Sequence, residues 1–107
     1  MYVIVWQFEV LPDRVEEFER VYGSQGEWAR LFSRASGYMG TTLSRETESR
    51  AMYVTFDYWR TEEDFNRFTS AFQEAYNVLD RYCAPLTLHQ RRIGAFVMDD
   101  VHPPDGV

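Results

Sequence analysis

The stretch Met52 to Trp59, MYVTFDYW, sets Tyr53, Thr55, Asp57 and Trp59 at alternate positions. In an extended strand, alternate side chains share one face. That face then combines two large rings with a hydroxyl and a carboxylate, which is the composition of a ligand cleft. Trp59 offers a wall on which a planar substrate can stack; the structural alternative is an anchor between the strand end and the helix that follows. Asp57 stands mid-strand, where Asp is disfavoured. Facing a cleft, a partly buried carboxyl rises in pKa and suits proton abstraction from a phenol or another carbon or oxygen acid. The alternative for Asp57 is an ion pair with Arg45 or Arg91 on a neighbouring strand.

His89, on the last strand, is a second candidate for a general base or proton shuttle, because histidine titrates near neutrality. Its alternative is a place at an interface or on the surface. His102 lies beside Asp99 and Asp100 in a polar tail, but two histidines this far apart supply no ligand set, so no metal is expected. Arg91 and Arg92 are adjacent and point to opposite faces, so they cannot both enter one site. Cys83 and the stripe of Phe65, Phe68 and Phe72 read as packing. The glycines of YGSQGEWARLF, residues 22–32, follow a helix and not a strand, so they read as a break between helices and not as a phosphate loop. Gly23 is expected to close the first helix in the left-handed region, and Ser24 with Glu27 to form a capping box. The break is expected to bring Tyr22 and Trp28 to the mouth of the cleft, opposite Trp59.

The elements that must position these groups follow from periodicity. Residues 2–10 alternate as a strand that is apolar on one side throughout and begins with Val3 and Val5 on the other. After Leu11-Pro12, Asp13 and Glu16 make a capping-box pattern before the stripe Val15, Phe18, Tyr22. A second strand spans about 38–45, and the polar run ETESR turns it into the third. Thr61 opens a helix whose ring stripe runs from Phe65 through Phe68, Phe72 and Tyr76, ending near Cys83 before Pro85. A last strand covers about 86–97, with Leu88 and Phe96 on one face and Ile93 and Val97 on the other. The order βαββαβ predicts an α+β, ferredoxin-like fold: a four-stranded antiparallel sheet with helices on one face. A single domain over 1–98 and a flexible tail over 99–107 are expected. Apolar side chains on both sheet faces call for a second cover, and a homodimer through the open sheet face is the economical one.

Composition excludes several classes. The net charge is -6, and all eleven basic residues are Arg with no basic stripe, which argues against nucleic acid and anionic membrane as partners. The N-terminal run carries Gln7 and Glu9 and lacks a basic lead, so neither a signal peptide nor a membrane span is expected. One cysteine fits a reducing, cytoplasmic setting. Nucleotide, zinc and serine-hydrolase motifs are absent.

The chain resembles the antibiotic biosynthesis monooxygenase domain of the dimeric α+β barrel superfamily. The resemblance rests on VLPD after the first strand, EEFERVYG, EWARLF, SGYMGT, and YVTFDYWRTEEDFNRF with Trp59, Thr61 and Phe65. It covers about residues 2–96. It implies a homodimer whose sheets form a barrel, with a cleft between sheet and helices in each subunit. Members of that family include cofactor-independent oxygenases of aromatic polyketides, haem-degrading proteins and proteins acting on small quinone-like molecules. The haem-degrading pattern, an Asn on the first strand with a Trp and a His on the second helix, is missing: Phe68 and Asn77 or Val78 stand there. The oxygenase pattern keeps Trp59 but has Thr55 and Phe65 where an Asn and a Tyr are usual. The expectation is a small-molecule-binding homodimer without a cofactor. It is either an oxygenase of a phenolic or quinone-like aromatic or a non-catalytic ligand-binding or interaction module.

Overall fold

The computed structural model describes residues 1–99 and 103–105, so His102 and most of the expected tail lie outside the described residues. Four strands form one sheet: β1 (Tyr2–Val10), β2 (Tyr38–Arg45), β3 (Met52–Trp59) and β4 (Thr87–Val97). Their spatial order is β2-β3-β1-β4, with every neighbouring pair antiparallel. Helices α1 (Val15–Tyr22), α2 (Glu27–Phe32), α3 (Glu62–Ala71) and α4 (Gln73–Cys83) lie on one face. The alternation of β1 explains the layering. Ile4, Phe8 and Val10 enter a core with Phe18, Val21, Phe32 and Phe68 from the helices.

The other face of β1 carries Val3, flanked by Tyr58 and Phe96, and Val5, flanked by Phe56 and Gly94. Val3 and Val5 are buried by these neighbours, while Phe96 and Ile93 stay exposed. This outer face is the open one that the sequence marks as apolar.

Local corrections share one cause: backbone geometry that side-chain periodicity does not encode. Pro12–Arg14 is a 3-10 turn and α1 starts at Val15, so Asp13 makes no side-chain cap. Gly23 is extended (φ -70°, ψ 173°), not left-handed, and Gly26 is the residue before α2, with no side-chain cap from Ser24. Glu27 instead pairs with Arg20 at 2.7 Å and Arg30 at 3.1 Å. Gly26 is required by close approach: a Cβ there would lie 2.3 Å from the carbonyl oxygens of Arg20 and Val21.

The long second helix divides at Phe72 (φ -120°, ψ 24°), yet the amides of Phe72 and Tyr76 still donate to the carbonyls four residues earlier, at 2.9 Å each. One bond ends at Phe72 and the other starts from it, so none spans the break, but the three-and-four spacing of the rings continues through it and the kink is silent in the pattern. The Thr61 cap does form, its hydroxyl accepting from the Asp64 amide at 3.1 Å.

In β4 the pairing with β1 skips Leu88 and Ile93. These bulges break the alternation, so Ile93 and Val97 are not on one simple face.

The two readings of the 22–32 break differ measurably. Gly26→Ala is expected to cost about 1–3 kcal/mol through overpacking against α1, whereas Ser24→Ala should stay within about 0.5 kcal/mol. Urea unfolding checks both; a loss of about 1 kcal/mol in Ser24→Ala would restore the capping box.

Candidate active site

Between the sheet and the helices lies a cleft of two adjoining chambers that share part of their lining. Thr55, Asp57 and Trp59 face the helices because β3 alternates without interruption and Tyr53 and Trp59 are core residues on that side. The first chamber, about 450 Å³ including its mouth, is lined by Trp6 of β1, Tyr22 of α1, Trp28 of α2 and Tyr76 of α4, with Thr55 and Asp57 below. Its rings touch in series: Tyr22 and Trp28 have centroids 6.1 Å apart, and Trp28 meets Tyr76 edge-on at 4.9 Å. Asp80 and Gln90 add polar groups to its lining. The second chamber, about 240 Å³, is walled by Trp59, Phe65 and Ile4 and carries Thr69, Gln73 and Arg92. Trp6, Phe32, Asp57 and Tyr76 belong to both, so Asp57 stands at their junction.

The electrostatics centre on that carboxylate. Burial pushes the Asp57 carboxyl up to about 6, against the opposing hydrogen bond from Thr41. The Thr41 hydroxyl donates to Asp57 Oδ1 at 2.7 Å. The ion-pair alternative is not formed. Arg45 sits opposite Tyr53, four residues along the strand from Asp57, and Arg91 is on the outer face, where it donates to Gln7 at 3.3 Å. Arg92 faces the cleft and Arg91 does not, as alternation requires.

Trp59 serves as anchor and wall together. It is fully buried, packs edge-on against Phe32 at 5.8 Å and Phe65 at 5.6 Å, and lines the second chamber. Its indole N–H has no hydrogen-bond partner, and neither has that of Trp28. Tyr22 and Trp28 line the first chamber and Trp59 the second, so the three flank the cleft without facing one another across one cavity.

Two expected residues fall outside it. Tyr53 is buried at the far end of β3, where its hydroxyl donates to Glu19. His89 pairs with Glu9 on the outer face. Counting back by twos from Val97, which shares the helix side with Tyr2, would put His89 inward; the bulge at Ile93 turns it out.

The sequence reading missed Trp6, Phe32, Thr41, Tyr76, Gln90 and Arg92. Trp6 and Tyr76 carried a signal, an indole and a phenol within otherwise aliphatic or phenyl stripes. Among the described residues no group of His, Cys, Asp and Glu side chains could hold a metal ion. The arrangement is a carboxylate without an ion-pair partner, sharing its second chamber with Arg92, in a box of rings open to solvent; such a carboxylate can take a proton from a flat, weakly acidic molecule.

Known proteins share this frame. SnoaB, a cofactor-independent oxygenase from Streptomyces nogalater, is similar over 96% of this chain and 97% of its own, at 24% identity, with TM-scores of 0.78 and 0.77 in two structures. A monooxygenase from the gene ActVA-Orf6 of Streptomyces coelicolor, solved in complex with nanaomycin D, matches at 14% identity over 97% of this chain and 92% of that one, TM-score 0.73. PA3566 from Pseudomonas aeruginosa matches at 14% identity over 92% and 94%, TM-score 0.64. At these identities the likeness shows the fold. No curated protein matches the sequence. The model of the family described as antibiotic biosynthesis monooxygenase, however, matches residues 1–76, most of the chain, and on that match the protein belongs to the antibiotic biosynthesis monooxygenase family.

Proposed function

We propose that the protein is a cofactor-independent monooxygenase of a phenolic or quinone-like aromatic, working as a cytoplasmic homodimer paired through the outer sheet face. One observation carries the reading: an unpaired carboxylate, raised to about 6, at the junction of two ring-lined chambers. In an anthrone-type substrate Asp57 takes the proton from the acidic carbon, leaving a resonance-stabilised carbanion. The carbanion is the reductant: it passes electrons to O₂, and one oxygen atom becomes bonded to that carbon. Asp57 returns its proton to the resulting peroxide, and loss of water, made from that proton, the second hydrogen of the CH₂ and the outer oxygen, leaves the quinone carbonyl. The balance is CH₂ + O₂ → C=O + H₂O. The protein orients the ring, accepts the proton and excludes water; the substrate supplies the electrons.

The neighbours support the chemistry, since one is a cofactor-independent oxygenase and another a monooxygenase solved with nanaomycin D. A second reading, a non-catalytic ligand-binding or interaction module, is favoured by Thr55 and Phe65, which stand where the oxygenase pattern has Asn and Tyr.

Oxygen uptake with an anthrone series separates the two. Asp57→Asn should lower kcat by about 10²–10⁴-fold, and wild-type kcat should rise with pH through about 6 and level off above it, because the ionised carboxylate is the active form. Unchanged uptake in Asp57→Asn removes the base role.

Folding gives an independent check. The folded carboxyl binds its proton more tightly than the unfolded one, whose ordinary value is 3.8, so this group costs stability as pH rises from about 4 to about 6. Asp57→Asn should therefore resist urea better than wild type at pH 8, with the gap closing toward pH 4.

Light scattering at micromolar concentration should give twice the chain mass. A monomer there contradicts the paired outer face.

A further inference from the structure

Residues three apart on a regular strand point to opposite faces. Tyr38 and Thr41 nevertheless share one, because β2 pairs Tyr38 with Trp59 and then Gly40 with Tyr58, leaving Met39 unpaired. Gly40 holds φ +127°, a conformation L side chains rarely adopt, and Met39 is turned out to solvent. The bulge resets the alternation, so Thr41 lies directly opposite Asp57 and Tyr38 beside it. A continuous chain results. Tyr38 Oη lies 2.5 Å from Thr41 Oγ1, and Thr41 Oγ1 is 2.7 Å from Asp57 Oδ1. An ionised carboxylate only accepts, so the Thr41 proton points to Asp57 and the Tyr38 proton to Thr41.

We propose that Thr41, set in place by this bulge, is a positioning residue for Asp57: it holds Oδ1 and leaves Oδ2 to meet the substrate proton, while Tyr38 fixes the direction of the Thr41 hydroxyl. The proposal rests on Asp57 being the base, and it assigns a role to two residues of β2 that line up only because of one unpaired methionine. Half-buried Tyr38 is itself held between Phe32, at 5.5 Å, and Trp59, at 5.4 Å, so the chain is pinned to the aromatic core at its outer end. Hydrogen bonding to the charged form favours it, so Thr41 opposes the effect of burial on Asp57. The titratable and charged groups around Asp57 are Tyr38 from β2, Tyr22 from α1, Tyr76 and Asp80 from α4, and Arg92 from β4. Helices α2 and α3 present only uncharged side chains to the cleft, Trp28, Phe32, Phe65 and Thr69. Of these only Tyr38 touches Thr41, which is why Tyr38→Phe is tested beside it.

Thr41→Val keeps the branched shape a strand favours and removes the hydroxyl. In protein labelled with ¹³C at aspartate carboxyls, NMR titration reads the Asp57 midpoint directly, with Asp57→Asn to assign the signal. Thr41→Val should move that midpoint up by about one pH unit, as the loss of a hydrogen bond to a charged group implies. Thr41→Ser should restore it, and Tyr38→Phe should give a smaller upward move. An unmoved midpoint in a folded Thr41→Val overturns the proposal. Oxygen uptake as a function of pH separates this from the reading it rests on. If the midpoint moves and the kcat limb moves with it, both stand. If the midpoint moves and the limb does not, Asp57 is not the base, and the positioning role falls with it although the contact is real.

Discussion

Asp57 lies mid-strand among aromatic rings, and no arginine reaches it. Removing a carboxylate from water is costly unless a cation or several hydrogen bonds compensate. Here the compensation is one hydroxyl, that of Thr41 at 2.7 Å. The carboxyl therefore rests near the middle of the physiological range and not at the ordinary value of 3.8. A sequence that uses Asp where β propensity opposes it, and forms no ion pair with it, gives up stability at that point. The rest of the cleft is arranged around that concession. Trp6, Phe32 and Tyr76 come from three different elements, and all three line both chambers that meet at Asp57.

The surrounding parts hold this geometry rather than contribute chemistry. Trp59 ties β3 to α3 through Phe65 and Phe68, which fixes the strand on which Asp57 sits. Gly26 lets the start of α2 press against the carbonyls ending α1, and that contact carries Trp28 and Phe32 over the sheet. The Met39–Gly40 bulge turns the edge strand so that its hydroxyls reach inward. Each device is a backbone event whose consequence is the direction of one side chain, and a site built this way is rigid because its supports are packed. On the opposite face, Val3 and Val5 carry the apolar character of the sheet outward, flanked by Phe56, Tyr58 and Phe96.

How much of this the sequence discloses depends on what periodicity can carry. β3 alternates over its whole length, so the shared face of Thr55, Asp57 and Trp59 is legible from spacing alone. The ring stripe through Phe65, Phe68, Phe72 and Tyr76 marks α3 and α4 but hides the kink at Phe72, since the three-and-four spacing continues through it. Bulges are the main blind spot. One at Ile93 turns His89 to the outer face, and one at Met39 brings Thr41 to Asp57; an unpaired residue leaves no mark in composition. The caps at Asp13 and Ser24 match a pattern that the backbone does not use, because a 3-10 turn and a close helix contact take precedence. Trp6, Tyr76 and Arg92 enter the cleft through tertiary packing of distant segments, which no local window contains.

The central claim is that the junction of the two chambers receives a flat, weakly acidic ring with its reacting carbon at Asp57. A crystal structure of the protein soaked with a hydroxyanthraquinone, which binds as a product does and cannot be oxidised further at the reacting carbon, tests it directly. The account predicts the ring system between Trp6 and Phe32, with the carbonyl that stands at the former CH₂ carbon facing Asp57 Oδ2. A ring bound elsewhere, or an empty cleft at saturating ligand, contradicts it.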